Sequence, residues 1–344
     1  MLVRLIIAAG LAVSVTAGAR AAPYTAEYVF GDSLSDNGNL AEVAYHQNFP
    51  NPPSFHDSFT NGPAAVSVLA ATLGVPLTPS LWVTAFHDTF NLFGGASFVP
   101  GTNYAVAGAT AAASPVGGLP GVNLPQQVAA FGIATTLHAD PNALYVVMIG
   151  GNDVRNAVLQ GTGPAAVTAG VTAELGAIQT LASEGAKKFL VVNVPNVGVI
   201  PEFAQDDPSQ AGLATTYSQQ YDLQLSTGLS SLGLAAGTSL TQFDLYAYNA
   251  GVLANAAAYG LTDTVDRCYT TTPLSAATSP QCGPNAANIN NFAYWDAIHP
   301  TAVVQNLWGV GFEQALGVPE PSTIALLSVG VLGVLGASRR RSAI

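Results

Sequence analysis

Charge is what this sequence has least of. Only 8% of its 344 residues are Asp, Glu, Lys or Arg, against about 25% in an ordinary soluble domain. Of the 9 Lys+Arg, Arg4, Arg20, Arg339, Arg340 and Arg341 lie at the two ends, leaving Arg155, Lys187, Lys188 and Arg267 for the body. The acidic residues number 20, and all but Glu320 are in the body. A body so poor in cations repels a phosphate backbone, which excludes nucleic acid as a partner. Long apolar runs are confined to the termini, which argues against a polytopic membrane protein. Disorder is excluded by the 49% hydrophobic content, since disordered chains combine low hydrophobicity with high charge. Cysteine is limited to Cys268 and Cys282. No His or Cys stands close enough to complete a zinc spacing, so a structural disulfide is expected rather than a metal pair. Closing that loop is worth about 3 kcal/mol in the chain-entropy view.

The ends carry addresses. Met1–Ala21 joins Arg4, the apolar run Leu5–Val13 and the small-residue sequence Ala19-Arg20-Ala21. That pattern is a secretory signal peptide with cleavage expected after Ala21; an uncleaved anchor is the alternative, though the run is short for a span. At the other end come Val318-Pro319-Glu320-Pro321-Ser322, an apolar stretch from Thr323 to Ala337, and Arg339-Arg340-Arg341. The arginines would hold the tail at the cytoplasmic face. This three-part pattern resembles the PEP-CTERM sorting tail of Gram-negative bacteria. The resemblance implies transient membrane contact, processing by an exosortase-type enzyme and delivery to the cell surface or an extracellular matrix. A plain C-terminal membrane anchor is the alternative. Both ends place the body, residues 22–317, outside the cytoplasm, where a disulfide persists.

Within the body, short apolar runs recur at Tyr28–Phe30, Tyr104–Val106, Leu144–Ile149, Phe189–Val194 and, more weakly, Leu240–Leu245. Ala-rich stretches with helical spacing lie between them, at Ala64–Leu73, Gln126–Thr136, Ala165–Glu184 and Ser209–Leu232. Asp207-Pro208 reads as a helix start, with Asp as the cap and Pro in the first turn. Continuous apolar strands alternating with helices predict an α/β fold, a mainly parallel sheet of about five strands covered on both faces. Chemistry then gathers beyond the carboxyl ends of the strands. The aromatic-rich segment from Pro76 to Pro100 fits either the wall of an acyl pocket or a surface loop packing its own rings. No repeat or linker divides the body, so one domain is expected.

After the first strand comes Gly31-Asp32-Ser33-Leu34. A serine there can present its hydroxyl at the sheet edge, but it needs a base to become a nucleophile; capping the next helix would explain it as well. Near the end stands Asp296-Ala297-Ile298-His299-Pro300. Asp and His three residues apart can share one turn, the carboxylate fixing the imidazole tautomer and leaving the other nitrogen as base. His46, His56, His87 and His138 lack such a neighbour. Two strand exits offer donors for a developing oxyanion: Gly108 by its backbone N–H, and Asn152 of Gly150-Gly151-Asn152-Asp153 by its side chain. Tight strand-exit turns would account equally for these glycines.

Taken together, the four segments resemble the GDSL, or SGNH, family of serine esterases and lipases, in its longer plant-lipase-like branch. The likeness runs from Tyr28 to about Leu316 and includes Ser58–Pro63 and Val192–Gly198. It implies a three-layer flavodoxin-like fold and a carboxylic ester hydrolase without cofactor or metal. It assigns Ser33, Asp296 and His299 as the catalytic triad, and Ser33, Gly108 and Asn152 as the oxyanion hole. Asp32, Asp36 and Asp153 would brace loops. The implied substrates are lipid or small acyl esters; the sorting tail also fits an O-acetyl esterase acting on extracellular polysaccharide, or a non-catalytic matrix protein. Two positions depart from the family pattern: Ser58 replaces an arginine, and Ala107 replaces a glycine, which would crowd the oxyanion loop.

Overall fold

The computed structural model describes residues 24–41, 48–82, 101–112, 121–275, 280–282 and 288–318. The expected signal peptide, most of the tail and the aromatic segment beyond Trp82 lie outside these residues. Four regular strands form the central sheet: β1 (Glu27–Gly31), β2 (Leu144–Met148), β3 (Lys188–Val192) and β4 (Ser239–Phe243). They stand in the order β1-β2-β3-β4, all parallel. Every residue of β2 is buried, so both faces of the sheet are covered there, and its side chains are apolar throughout for that reason.

The expected second strand, Tyr104–Val106, runs beside β1 without becoming regular. Tyr104 N–H donates to Val29 O at 2.8 Å and Val106 N–H to Gly31 O at 3.2 Å. On its far side, Thr78 O and Ser80 N–H pair with the Asn103 backbone (2.9 Å each), and the Asn39 side-chain amide donates to the carbonyls of Asn103 and Ala105 (2.9 and 2.8 Å). The Trp82 indole donates to Tyr104 O at 3.0 Å, so this aromatic braces the edge of the sheet. Counting this segment, the chain-order arrangement is 2-1-3-4-5, the flavodoxin-like order, whose direction reverses beside β1.

The helices fall into two packed groups. One contains α1 (Ala65–Leu73), α6 (Leu245–Ala254) and α7 (Ala302–Ala315). The other contains α2 (Leu124–Ala134), α3 (Gly151–Leu159), α4 (Gly163–Ser183) and α5 (Pro208–Ser230). Asp207 does cap α5 with Pro208 in its first turn, although its carboxylate accepts the Ser209 hydroxyl rather than a helix N–H. At the sheet, Phe131 of α2 meets Tyr28, Phe30, Tyr104 and Tyr145 edge-on, with ring centroids 5.0, 5.6, 5.7 and 5.8 Å away. Such edge-to-face pairs add stability beyond the area they bury.

A small sheet of β5 (Asp263–Arg267) and β6 (Phe292–Tyr294) stands apart from the main one. Cys268 follows β5 directly and forms a disulfide with Cys282, their Cα atoms 4.6 Å apart. Beside it lies a second apolar cluster containing Phe49, Phe59, Ala107, Cys268, Tyr269 and Trp295. This cluster carries the loop that ends in His299.

Candidate active site

The site forms at the carboxyl edge of the sheet, where β1 and β2 end. Gln127 of α2 closes the end of β1: its amide accepts from Gly31 N–H (2.9 Å) and donates to Gly31 O (2.8 Å). The chain then turns sharply. Asp32 O accepts from the N–H groups of Ser35 (3.0 Å) and Asp36 (2.9 Å), leaving Ser33 on the outside of the turn. Ser33 caps no helix. The helical turn beginning at Asn39 is capped by Asp36, which accepts from the N–H groups of Gly38, Asn39 and Leu40 at 2.8–3.1 Å.

The opposing loop is held at its base by a bridge between Tyr294 and Pro300 and by Trp295 N–H donating to His299 O at 2.8 Å. Inside it, His299 Nδ1 lies 2.9 and 2.8 Å from the two Asp296 carboxylate oxygens. His299 Nε2 lies 2.8 Å from Ser33 Oγ, across 266 residues of sequence. The three groups are therefore in continuous hydrogen-bond contact. Asp296 is fully buried; it accepts from Ile298 N–H (2.8 Å), His299 N–H (2.7 Å) and Thr272 Oγ1 (2.7 Å). Burial alone would raise its carboxyl, but the His299 charge and these hydrogen bonds outweigh it and hold the group below its ordinary value.

Gly108 and Asn152 come to the same edge. Gly108 has φ +80°, a left-handed conformation that favours glycine, and a Cβ there would meet nothing within 4 Å. Its N–H and that of Ser33 have no hydrogen-bond partner among the described residues. Asn152, in the first turn of α3, donates its amide to Ala109 O at 2.9 Å, tying the two exits together. Ala107 does not crowd this loop: its methyl packs in the second apolar cluster while its N–H donates to Asp36 (2.8 Å).

The three loop aspartates accept backbone N–H groups, as expected. Asp32 holds Leu34 N–H (3.0 Å), and Asp153 holds those of Ala111 (2.7 Å) and Ala112 (3.1 Å). Burial pushes Asp32 and Asp36 up to about 6 and Asp153 up to about 7, against the pull of these hydrogen bonds.

The local motifs do not mark several residues that build the site. Thr272 is 24 residues from Asp296, and Gln127 is 96 from Gly31. The Ser58–Pro63 segment supports the histidine. Phe59 packs its ring 5.4 Å from the imidazole, and Asn61 Oδ1 accepts the first N–H of α7 at 2.9 Å. Ser58 is buried, and its carbonyl accepts the Ser54 hydroxyl. A pocket opens beside Ser33 and Asn152, walled by Ile200, Leu253, Val304 and Trp308. Arg155 also borders it but is held bidentately by Glu202, both contacts at 2.5 Å. Of the remaining histidines, His56 and His138 are exposed, and His46 and His87 lie outside the described residues. No cluster of three or more His, Cys, Asp or Glu fit for a metal occurs among the described residues.

Residues 28–310 match the family model described as GDSL-like Lipase/Acylhydrolase, and residues 317–341 match the PEP-CTERM protein-sorting motif. The GDSL esterase/lipase LIP-4 of Arabidopsis thaliana is 27% identical over 323 residues, covering 82% of this chain and 84% of that protein. Acetylajmalan esterase 2 of Rauvolfia serpentina is 28% identical, covering 81% of this chain and 86% of its own. Lipase 1 of Photorhabdus luminescens is 31% identical over 204 residues, which are 59% of this chain and 27% of that larger protein. With the family model spanning nearly the whole body, the chain belongs to the GDSL-like lipase/acylhydrolase family of carboxylic ester hydrolases.

Proposed function

We propose that the chain is exported and hydrolyses carboxylic esters through an acyl-enzyme on Ser33. The observation that carries this reading is the contact chain from Ser33 Oγ through His299 to Asp296, at 2.8 Å on either side of the imidazole. Ser33 Oγ attacks the ester carbonyl carbon while His299 Nε2 takes its proton. Asp296 holds Nδ1–H and balances the imidazolium. The tetrahedral oxyanion is received by the N–H groups of Ser33 and Gly108 and by the Asn152 amide; one such donor is worth about 2.7–4 kcal/mol of barrier. As the intermediate collapses, His299 protonates the departing alcohol. Water, deprotonated by the same imidazole, then releases the acid and restores Ser33.

The cavity beside Ser33 favours an aliphatic acyl group, because its walls are mostly apolar and offer few partners for a polar one. A second reading, an O-acetyl esterase acting on extracellular polysaccharide, is favoured by the sorting motif. In both, residues 1–21 are removed as a signal peptide, residues 22–317 form the enzyme, and residues 318–344 direct it through an exosortase-type enzyme to the surface or matrix of a Gram-negative cell.

Hydrolysis of p-nitrophenyl esters by the purified body tests the mechanism. Ser33→Ala abolishes turnover and labelling by a fluorophosphonate; an unchanged rate would reject the assignment of Ser33, and only a body that hydrolyses no ester would leave a non-catalytic matrix role. Tributyrin against acetylated glycan separates the two substrate classes.

A further inference from the structure

Asn152 stands in the first turn of α3, and the packing beneath that turn is unusually tight. Gly150, which precedes it at φ +107°, lies directly on the Tyr221 ring. A Cβ at Gly150 would fall 2.5 Å from Cζ, 2.7 Å from the hydroxyl and 2.8 Å from Cε1 of Tyr221. From the other side Gly170 of α4 closes in, where a Cβ would come within 3.0 Å of Tyr221 Cε2 and 2.8 Å of Asp153 Oδ1. Tyr221, from α5, is thus wedged between two glycines, and neither contact leaves room for a methyl group. Its hydroxyl donates to Glu174 Oε2 of α4 at 2.7 Å, and both residues are fully buried.

The turn above the wedge carries the cross-links to the Gly108 loop. Asn152 donates to Ala109 O, and Asp153 accepts from Ala111 and Ala112. A shift of this turn therefore moves the Asn152 amide relative to Ser33. Burying Glu174 is costly for plain packing, since its Oε1 has no partner among the described residues and an apolar pair would fill the space more cheaply. The hydroxyl–carboxyl contact supplies something an apolar pair lacks, a fixed height and tilt for the ring.

We propose that Tyr221 is a positioning residue whose ring, held by Glu174, sets the depth of the first turn of α3 so that the Asn152 amide reaches the oxyanion. The inference rests on the acyl-enzyme reading above. Misplacement of a reacting group by about 1 Å can cost a hundredfold in rate, so the effect falls on kcat rather than on KM.

The test measures p-nitrophenyl butyrate hydrolysis, with a thermal melt on each variant. Tyr221→Leu lowers kcat about tenfold or more with KM within about twofold, and the same change made in Asn152→Ala lowers kcat by less than about twofold. Tyr221→Phe keeps the ring and loses only the hydroxyl. It lowers kcat by about two- to fivefold, again only when Asn152 is present, and it decides the matter alone if Tyr221→Leu does not fold. Unchanged kcat in the folded variants, or an equal loss with and without Asn152, overturns the inference. Ser33→Ala separates the two levels. If it remains active, the acyl-enzyme reading falls; if it is dead while Tyr221 variants turn over normally, only the role of Tyr221 falls.

Discussion

Asp296 and Asp153 make an informative pair: 0% and 5% exposed, each accepts two backbone N–H groups, yet their ionisation moves in opposite directions. Asp296 faces an imidazole and the Thr272 hydroxyl, and its carboxyl is held down despite burial. Asp153 faces other acids, with the Asp32 charge adding to its burial, and is pushed up to about 7. Burial is common to both, so the neighbouring charge decides the outcome. On the His299 side of the site the carboxylate is kept as an anion that can fix a tautomer. Across the cleft, acids whose protons are held well above the ordinary carboxylate range hold loops by accepting hydrogen bonds. The chain's scarcity of cations is consistent with this division, since Arg155, one of its few, is already paired with Glu202.

Substitution on each side should break this comparison unequally. The largest effect is expected from Asp296→Asn, which keeps the shape but favours the wrong imidazole tautomer; kcat falls by about 10³–10⁴, read by steady-state ester hydrolysis. Next comes Asn152→Ala, which removes one oxyanion donor and lowers kcat by about 10²–10³ with little change in KM. A third test reads the two ionisations directly as thermal stability against pH. An unfolded aspartate loses its proton near pH 4, whereas the folded state keeps protons on Asp32 and Asp36 to about 6 and on Asp153 to about 7. Between those limits the folded state binds more protons, so stability falls as pH rises from about 4 to 7. Asp296 acts in the opposite sense, its contribution being lost only as pH falls below the unfolded value. The melting temperature should therefore be higher at pH 5 than at pH 8, and Asp153→Asn should flatten that slope while Asp296→Asn leaves it in place. The smallest effect is expected from Thr272→Val. Loss of one hydrogen bond to a buried carboxylate costs about 1.5–3 kcal/mol of stability, measured by denaturant melts, with kcat reduced only a few fold.

Much of the fold was legible because fully buried parallel strands leave a plain mark. The run Leu144–Ile149 corresponds to β2 at Leu144–Met148, and Ala165–Glu184 to α4 at Gly163–Ser183. β5 left no such mark: Asp-Thr-Val-Asp-Arg is half exposed and lacks an apolar face, so neither period nor hydrophobicity points to a strand. Tyr104–Val106 failed in the other direction. It has the composition of a strand, but Trp82 takes the Tyr104 carbonyl, Gln127 the Gly31 N–H and Asn39 the Ala105 carbonyl, so the ladder is broken on both sides. In the site, Ser33, Asp296 and His299 sit in short motifs that suggest a nucleophile and its base only when read together with the Gly108 and Asn152 segments. Thr272, Gln127 and Tyr221 are ordinary residues in ordinary surroundings until the chain folds.

By itself the amino-acid order determined the alternation of strands and helices, the exits at which reactive residues stand, and the Asp296–His299 pairing within one turn. These depend on interactions spanning a few residues, which sequence spacing encodes directly. Only the tertiary structure decided that Ser33 meets His299, which carboxyls stay charged, and what shape the cavity beside them takes. Those properties come from groups brought together through space, and their energies depend on burial and neighbouring charge, which spacing along the chain does not specify.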